Sequence, residues 1–502
     1  MCSSRMNTSL NEGAMGQYAR FHSLSKRGQL RKIGVNAAAL ALGGVIAQSC
    51  LILVEAVVAR RLGESDYGVF STVQAIALTS LHFFEFGMGW KLIEDGSRDT
   101  RTIAPLLGTT LLLKCGLAGL VYAVVLVGLP LAGYETSVVS FFAIFFVYAF
   151  AYGLQESLGG ANAARHQMHI NAIYQAATPV AVLAFAVLAT TISSSLAAVG
   201  WAYVAGCALV TAIWIWQLFR TEKPTLDLKR SADIFRGSYL YGIGGFLYQA
   251  SNRMEVMALS VLSGMADVGL FAAADKFTDI GVKVALLGSR VTAPLMFSQS
   301  CHDVVGYARS CRIILRGSSV LGAAGGLLLA AFAEPLVTAI FGESFRRAAV
   351  ILIILAPSVA LRFSTAALRL ALTSSDQHAH RVGGLAAGVA ASALGNVALI
   401  PPFGVLGSAW ARFLGDVVQI ALLLRTRSLP VAPFSLVSWM LLPLILGTVS
   451  YVVAVLATSN SWLQGFLSLT TFAVALIMTR CVRISEFREF AQAVRNKEVE
   501  EA

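Results

Sequence analysis

Residues 34–70 read GVNAAALALGGVIAQSCLILVEAVVARRLGESDYGVF. Across 34–59 the only charged side chain is Glu55. The run exceeds the roughly 20 apolar residues that carry a helix across a bilayer, and it is too long for the apolar core of a cleavable signal peptide. A short polar junction follows, with Arg60, Arg61, Gly63, Glu64, Asp66 and Gly68, and apolar sequence resumes at Val69. Two spans meeting through a tight junction are the expected unit of the fold.

The whole chain repeats this theme. Hydrophobic residues make up 57% of the 502 positions and charged residues 13%, where a soluble domain carries about 25% charged residues. The mean hydropathy is +0.71. The net charge of +11 is dispersed in short segments between apolar runs, without a basic face or interleaved aromatics, so nucleic acid is not an expected partner. Seven cysteines lie far apart with no C-x-x-C spacing, which argues against a metal centre or a disulfide framework. There is no G-x-x-x-x-G-K-[ST] segment to hold ATP phosphates, and no cofactor is expected.

Fourteen candidate spans follow: 35–59, 68–90, 102–128, 137–160, 168–190, 196–219, 236–261, 268–291, 313–333, 347–373, 382–400, 404–424, 432–456 and 461–480. Alternate loops are basic. Lys26, Arg27, Arg31 and Lys32 begin the series, and Lys91, Arg98, Arg101, Arg165, Arg220, Lys223, Lys229, Arg230, Arg309, Arg312, Arg381, Arg425, Arg427, Arg483 and Arg488 continue it. The intervening loops near 129–136, 191–196, 262–267, 401–403 and 457–461 hold no Lys or Arg. By the positive-inside rule both termini face the cytoplasm and the number of spans is even. Arg60, Arg61, Arg346 and Arg347 break the pattern, either as polar turns balanced by Glu64, Asp66 and Glu343 or as a cationic mouth on the outer face.

The junction recurs. Gly63-Glu-Ser-Asp66-Tyr-Gly68-Val-Phe70 is matched by Gly264-Met-Ala-Asp267-Val-Gly269-Leu-Phe271, and a glutamate precedes each copy, Glu55 and Glu255. Six spans separate the copies, so the two halves run parallel, an architecture used for alternating access. The glycines are expected to adopt positive φ, and Asp66 and Asp267 to cap the helices that follow.

Charges inside spans mark the candidate site. Each costs about 2.5–3.5 kcal/mol at mid-helix on insertion scales. The eighth span carries Asp275, Lys276, Asp279 and Lys283, with Lys276, Asp279 and Lys283 on one face. The seventh adds Asn252, Arg253 and Glu255. The first half adds Glu55, Glu85 with His82, and Lys114; Arg362 and Arg369 lie in the tenth span. One reading pairs Arg253 with Glu255 and Asp275 with Lys276 merely to fix packing. The other turns the stripe toward a wet cavity, where cations hold phosphate and carboxylates hold hydroxyls.

Ala59-Arg60-Arg61-Leu62-Gly63-Glu-Ser-Asp66-Tyr67-Gly68 resembles the A-R-x-L-G-x-x-D-Y-G opening of the polysaccharide-biosynthesis flippases, which translocate O-antigen and exopolysaccharide repeat units. Three further blocks agree in order. They are Arg253-Met-Glu255 with Asp267 to Lys276 and Pro294; Glu334-Pro335-Leu336 through Phe341-Gly342-Glu-Ser-Phe345 and Ala348; and Asn396 with Pro401-Pro402-Phe403-Gly404-Val-Leu-Gly407-Ser-Ala409. The resemblance covers most of 34–425. It implies the superfamily of multidrug and oligosaccharidyl-lipid exporters, a V-shaped pair of helix bundles, and sugars on undecaprenyl pyrophosphate as substrate. The second junction has no arginine aligned with Arg60, so a paired-arginine site must recruit Arg253.

The expected layout is all-α: a basic cytoplasmic tail (1–33), a six-helix bundle (34–220), a cytoplasmic linker (221–235), a second six-helix bundle (236–425), two extra membrane helices (426–480) and a basic cytoplasmic tail (481–502). The expected function is flipping of a lipid-linked oligosaccharide across a bacterial plasma (inner) membrane, not an enzymatic reaction. The expected partners are that substrate, membrane lipids, and polysaccharide polymerase or export machinery. Arg60, Arg253, Lys276, Lys283 and Lys114 are the candidate cations of the cavity, and Glu55, Glu85, Glu255, Asp275 and Asp279 its carboxylates. The alternative is an ion-coupled multidrug exporter, which calls for an anionic cavity with few basic groups.

Overall fold

The computed structural model describes residues 26–479 except 166, 222, 303, 376 and 426–432. Both expected terminal tails therefore lie largely or wholly outside the described residues, with Arg483 and Arg488, as does Arg427. Within them every long element is helical. In chain order these are α1 (Lys26–Glu85), α2 (Met88–Arg98), α3 (Ile103–Leu131), α4 (Thr136–Ala164), α5 (Met168–Ile192), α6 (Leu196–Thr221), α7 (Ser231–Leu262), α8 (Met265–His302), α9 (Val304–Ala331), α10 (Ala333–Phe341), α11 (Ala348–Ser374), α12 (His378–Leu424), α13 (Pro433–Ala457) and α14 (Ser461–Met478).

Two of these are pairs of spans joined across a break. α1 leaves helical geometry at Gly63 (φ 79°, ψ 179°) and α12 at Gly404 (φ 56°, ψ −135°), just after Pro401 and Pro402. Both values lie where a Cβ is penalised, so glycine is the residue that lets the chain reverse without a loop. Gly264 does not share this role, because it is absent from the positive-φ residues. The expected caps also differ. The Asp66 carboxylate makes no hydrogen bond among the described residues, and the Asp267 carboxylate accepts from the Ser263 hydroxyl instead of free amides.

Ten described helices are long and apolar enough to cross a membrane, and two of those ten are the double elements α1 and α12. α7, with 32 residues, and α8, with 38, are long enough to cross as well, but their charges lower their hydropathy. Those two helices carry the candidate site.

In the first half α1 packs along α5, α5 along α6, and α4 along α6. In the second, α11 packs on α8, α9 and α12, while α12 also lies against α7; α13 and α14 pack on each other and on α9. The linker is pinned to the first half: the Thr225 amide donates to the Ala104 carbonyl at 3.2 Å, and the Asp227 amide to the Thr109 hydroxyl at 3.0 Å.

The core is not evenly built. A continuous apolar cluster fills the first half and crosses to the second near the Gly63 junction, with Tyr67, Phe70, Phe142, Phe145, Tyr203, Phe271, Phe341 and Phe345 all buried. Rings of this size interlock through large contact areas and tilted or edge-to-face geometry, and such packing, not exclusion from water, holds helices together in a bilayer.

Candidate functional site

The halves meet along α1, α7 and α8. Near the middle of that seam stands Glu55, which is 3% exposed. Its Oε2 accepts from the Tyr67 hydroxyl at 2.9 Å. Its Oε1 accepts from the Gln74 amide at 3.1 Å and from Lys276 Nζ at 2.7 Å. Lys276 also donates to Gln74 Oε1 at 3.2 Å. Glu55, Tyr67 and Gln74 belong to the two arms of α1, whereas Lys276 belongs to α8, so one ion pair ties the halves together. Two turns along α8, Lys283 donates to Gln48 Oε1 of α1. Arg253 of α7 lies 3.8 Å from Asp279 of α8, each side chain about one-fifth exposed at 19% and 18%.

These partners differ from the local pairs that one of the two sequence readings offered. Arg253 does not pair with Glu255, nor Asp275 with Lys276. Residues one or two apart on a helix point in divergent directions, so each of the four reaches another helix instead.

Glu255 and Asp275 converge on a residue that the sequence reading overlooked. Arg412 of α12 donates to Glu255 Oε2 at 2.8 Å and to both oxygens of Asp275. Ser392 donates to Glu255 Oε1 at 3.1 Å, and Thr278 to Asp275 Oδ1 at 2.7 Å. The Arg412 guanidinium lies 5.1 Å above the Phe271 ring, a cation–π contact within working range. One turn along, Asp416 accepts from Arg362 at 3.1 Å. Both pairs border a small, partly open chamber, with about 60 Å³ of space for water, inside the second half between α7, α8, α11 and α12. Arg412 and Asp416 were findable, since an arginine and an aspartate four apart in mid-span share one helix face.

The other expected residues stand apart. Lys114 and Glu85 form a pair at 3.1 Å within the first half, where Lys114 is fully buried and donates to the Gly153 carbonyl at 2.9 Å. Arg60 is exposed and lies outside the chamber. Its guanidinium donates to the Ile340 carbonyl at 2.9 Å and to that of Ala339, closing the C-terminal end of α10, where carbonyls lack helical partners. Arg347 donates to Glu64 at 2.7 Å and Arg346 to Glu334. Arg60, Arg346 and Arg347 therefore form bridges at the Gly63 end, while Arg61 is exposed there.

Both ends of the seam are in contact. At the Gly63 end the two junction repeats touch reciprocally. A methyl on Gly68 would fall 1.7 Å from the Met265 carbonyl oxygen, and one on Gly269 would fall 2.1 Å from that of Glu64. At the basic end a methyl on Gly87 would fall 2.6 Å from the Gly242 amide nitrogen, and Phe86 lies against Phe235 at 5.2 Å between centroids. Beside it Lys91 is held above the ordinary lysine range, chiefly by its bond to Asp95 at 2.9 Å. The arrangement is a polar seam with a contact at each end, beside a polar chamber in one half.

Residues 33–300 match the family described as polysaccharide biosynthesis protein. No curated protein matches the chain by sequence. Among solved structures, the lipid II flippase MurJ in an inward closed conformation superposes with a TM-score of 0.70 at 11% identity, covering 88% of this chain and 98% of MurJ. A multidrug-resistance MATE transporter of the MOP superfamily, inward-facing, gives 0.64 at 14% identity, with 75% and 93% covered. A MOP superfamily transporter from Pyrococcus furiosus, described as having a binding pocket of reverse polarity, gives 0.57 at 15%, with 80% and 96% covered. At these identities the likeness establishes the fold, that of a multi-pass helical membrane protein.

Proposed function

The chain belongs to the polysaccharide biosynthesis protein family, and on that premise we propose that it flips an oligosaccharide repeat unit linked to undecaprenyl pyrophosphate across the bacterial inner membrane. The observation that carries this reading is the Glu55–Lys276 pair, a charge contact between the halves at membrane depth. When the halves part, Lys276 loses its carboxylate and becomes available to phosphate, with Arg253 and Lys283 on the same seam. Glu55 and Asp279 then face sugar hydroxyls. Glu255 and Asp275 are committed to Arg412 and set the charge of the second half.

The two bundles, 34–220 and 236–425, would rock about the linker 221–235, with 426–480 carried by the second. Release of Gly68 from Gly269, and of Arg60 and Arg347 from their partners, opens the Gly63 end. Separation of Gly87 from Gly242 opens the basic end. The contact that stays shut prevents a continuous leak. In this reading the basic end and both termini are cytoplasmic, and a polymerase or export complex receives the product on the other side. Alkaline phosphatase fused after Gly133 should be active and fused after Arg98 inactive; the reverse pattern inverts the orientation.

A deletion strain should accumulate lipid-linked repeat units in the cytoplasmic leaflet and lose surface polysaccharide. The second reading, ion-coupled export of small cationic drugs, draws on the multidrug transporters that share the fold. Lys276, Lys283 and Arg253 on the seam outnumber Glu55 and Asp279, a balance ill suited to cations. Intact polysaccharide with heightened dye sensitivity in the deletion strain would favour that reading over ours.

A further inference from the structure

The chamber in the second half has more hydrogen-bond donors than partners for them. Its upper part is an ion network in which Arg362 meets Asp416 and Arg412 meets Glu255 and Asp275. No other carboxylate is among its described lining residues. Arg369 lies on α11 two turns from Arg362 and lines the chamber together with Tyr248, Ser251, Asn252 and Gln419. Among the described residues Arg369 has no ion pair and its guanidinium no hydrogen bond. Two buried donors nearby are also unmatched: the Gln419 side-chain nitrogen and Arg412 Nε. These residues are 9% and 2% exposed.

An arginine at membrane depth is costly without a counter-charge, and a buried donor left unmade costs about 1–3 kcal/mol. The Arg369 guanidinium, the Gln419 amide nitrogen and Arg381, one turn before the lining residue Leu385 on α12, together form a set of donors with a positive field. Planar guanidinium donors suit the paired oxygens of a phosphate better than a spherical halide. The carboxylates above are already saturated by arginines and do not compete for Arg369.

We propose that this chamber binds a phosphate oxyanion entering from the basic end, with Arg369 as its main contact, Gln419 as a neutral donor and Arg381 one turn from the lining. The site is separate from the Glu55–Lys276 seam and does not depend on the flippase reading. Free phosphate or pyrophosphate and the headgroup of an anionic lipid offer the same chemistry, and the test separates them.

The full-length protein is placed in nanodiscs of phosphatidylcholine and titrated with sodium pyrophosphate, following its melting temperature and its binding of labelled pyrophosphate. A saturable rise is expected for the unaltered protein, with at least tenfold weaker binding in Arg369→Gln, partial retention in Arg369→Lys, and unchanged binding in Arg101→Gln, an exposed arginine paired with Asp99 ahead of α3. If pyrophosphate gives no effect but nanodiscs containing phosphatidylglycerol stabilise the protein in an Arg369-dependent way, the ligand is a lipid headgroup. Should Arg369→Gln fail to fold, Arg381→Gln and Gln419→Leu replace it, each expected to weaken binding severalfold. Absence of any phosphate or headgroup effect, or an effect indifferent to these substitutions, overturns the proposal.

Discussion

Phe70 and Phe271 occupy the same place in the two junction repeats, and both are fully buried, but they end in different surroundings. Phe70 packs among rings, 5.7 Å from Phe145 and 5.4 Å from Tyr203, and Tyr148 continues the stack. Phe271 lies under the guanidinium of Arg412. The preceding glutamates diverge likewise: Glu55 reaches across the seam to Lys276, whereas Glu255 turns inward to Arg412. A duplicated backbone thus encloses a filled aromatic interior in one half and a hollow ionic one in the other. Close-packed rings resist local rearrangement, so the first half is suited to move as a rigid body. Charges with room around them can exchange partners, and the chamber gives that room to the pairs of the second half.

The strongest way to break this comparison is to remove the cation on which the second half depends. Arg412→Leu leaves Glu255 and Asp275 buried without a counter-charge, and losing one partner of such a cluster costs about 3–5 kcal/mol. A sharp fall in melting temperature and membrane abundance is expected, and Arg412→Met combined with Glu255→Gln and Asp275→Asn should recover much of it. A triple variant no better than the single one would mean that the network is not an electrostatic unit.

Lys276→Gln tests the seam instead. Glu55 keeps Tyr67 and Gln74 as donors, so the protein should remain in the membrane at near-normal abundance while surface polysaccharide falls at least tenfold. Full polysaccharide in this variant would remove Lys276 from the site.

Gly68→Val and Gly269→Val probe the contact between the repeats. Each inserts atoms where there is no room, and overpacking of this kind costs about 1–3 kcal/mol. Both should lower melting temperature and transport together, while Gly44→Ala, which faces open space, should change neither.

The finest comparison is between the two phenylalanines. Phe271→Leu loses a cation–π contact of about 0.5–2 kcal/mol in addition to ring volume, so combined with Arg412→Met it should lower the melting temperature by less than the sum of the two single effects, whereas Phe70→Leu with Arg412→Met should be additive. Additivity in both pairs would show that the ring beneath Arg412 contributes only packing.

Much of the architecture was legible because a bilayer restricts it so strongly. The run 34–59, its repeats along the chain, and the recurrence of G-x-x-D-x-G-x-F specify helices, their approximate number and the duplication. Among the candidate residues, Lys276, Glu55, Arg253 and Asp279 do come together at the seam. Arg60 does not join them, because its guanidinium finds the carbonyls of α10, a partner 280 residues away. Gly68 and Gly269 were legible as a motif but not as a mutual contact: their value lies in lacking a Cβ where the other half approaches, and only Gly63 uses positive φ.

By itself the sequence determined that this chain is apolar, helical, duplicated and charged at a few costly positions inside its spans, since hydropathy and periodicity are local properties. Which charge meets which was decided only by the tertiary structure. An intramembrane arginine or carboxylate binds whatever partner the packing of other helices brings within about 3 Å, and that choice is made by residues such as Arg412 and Gln74, far along the chain from the groups they satisfy.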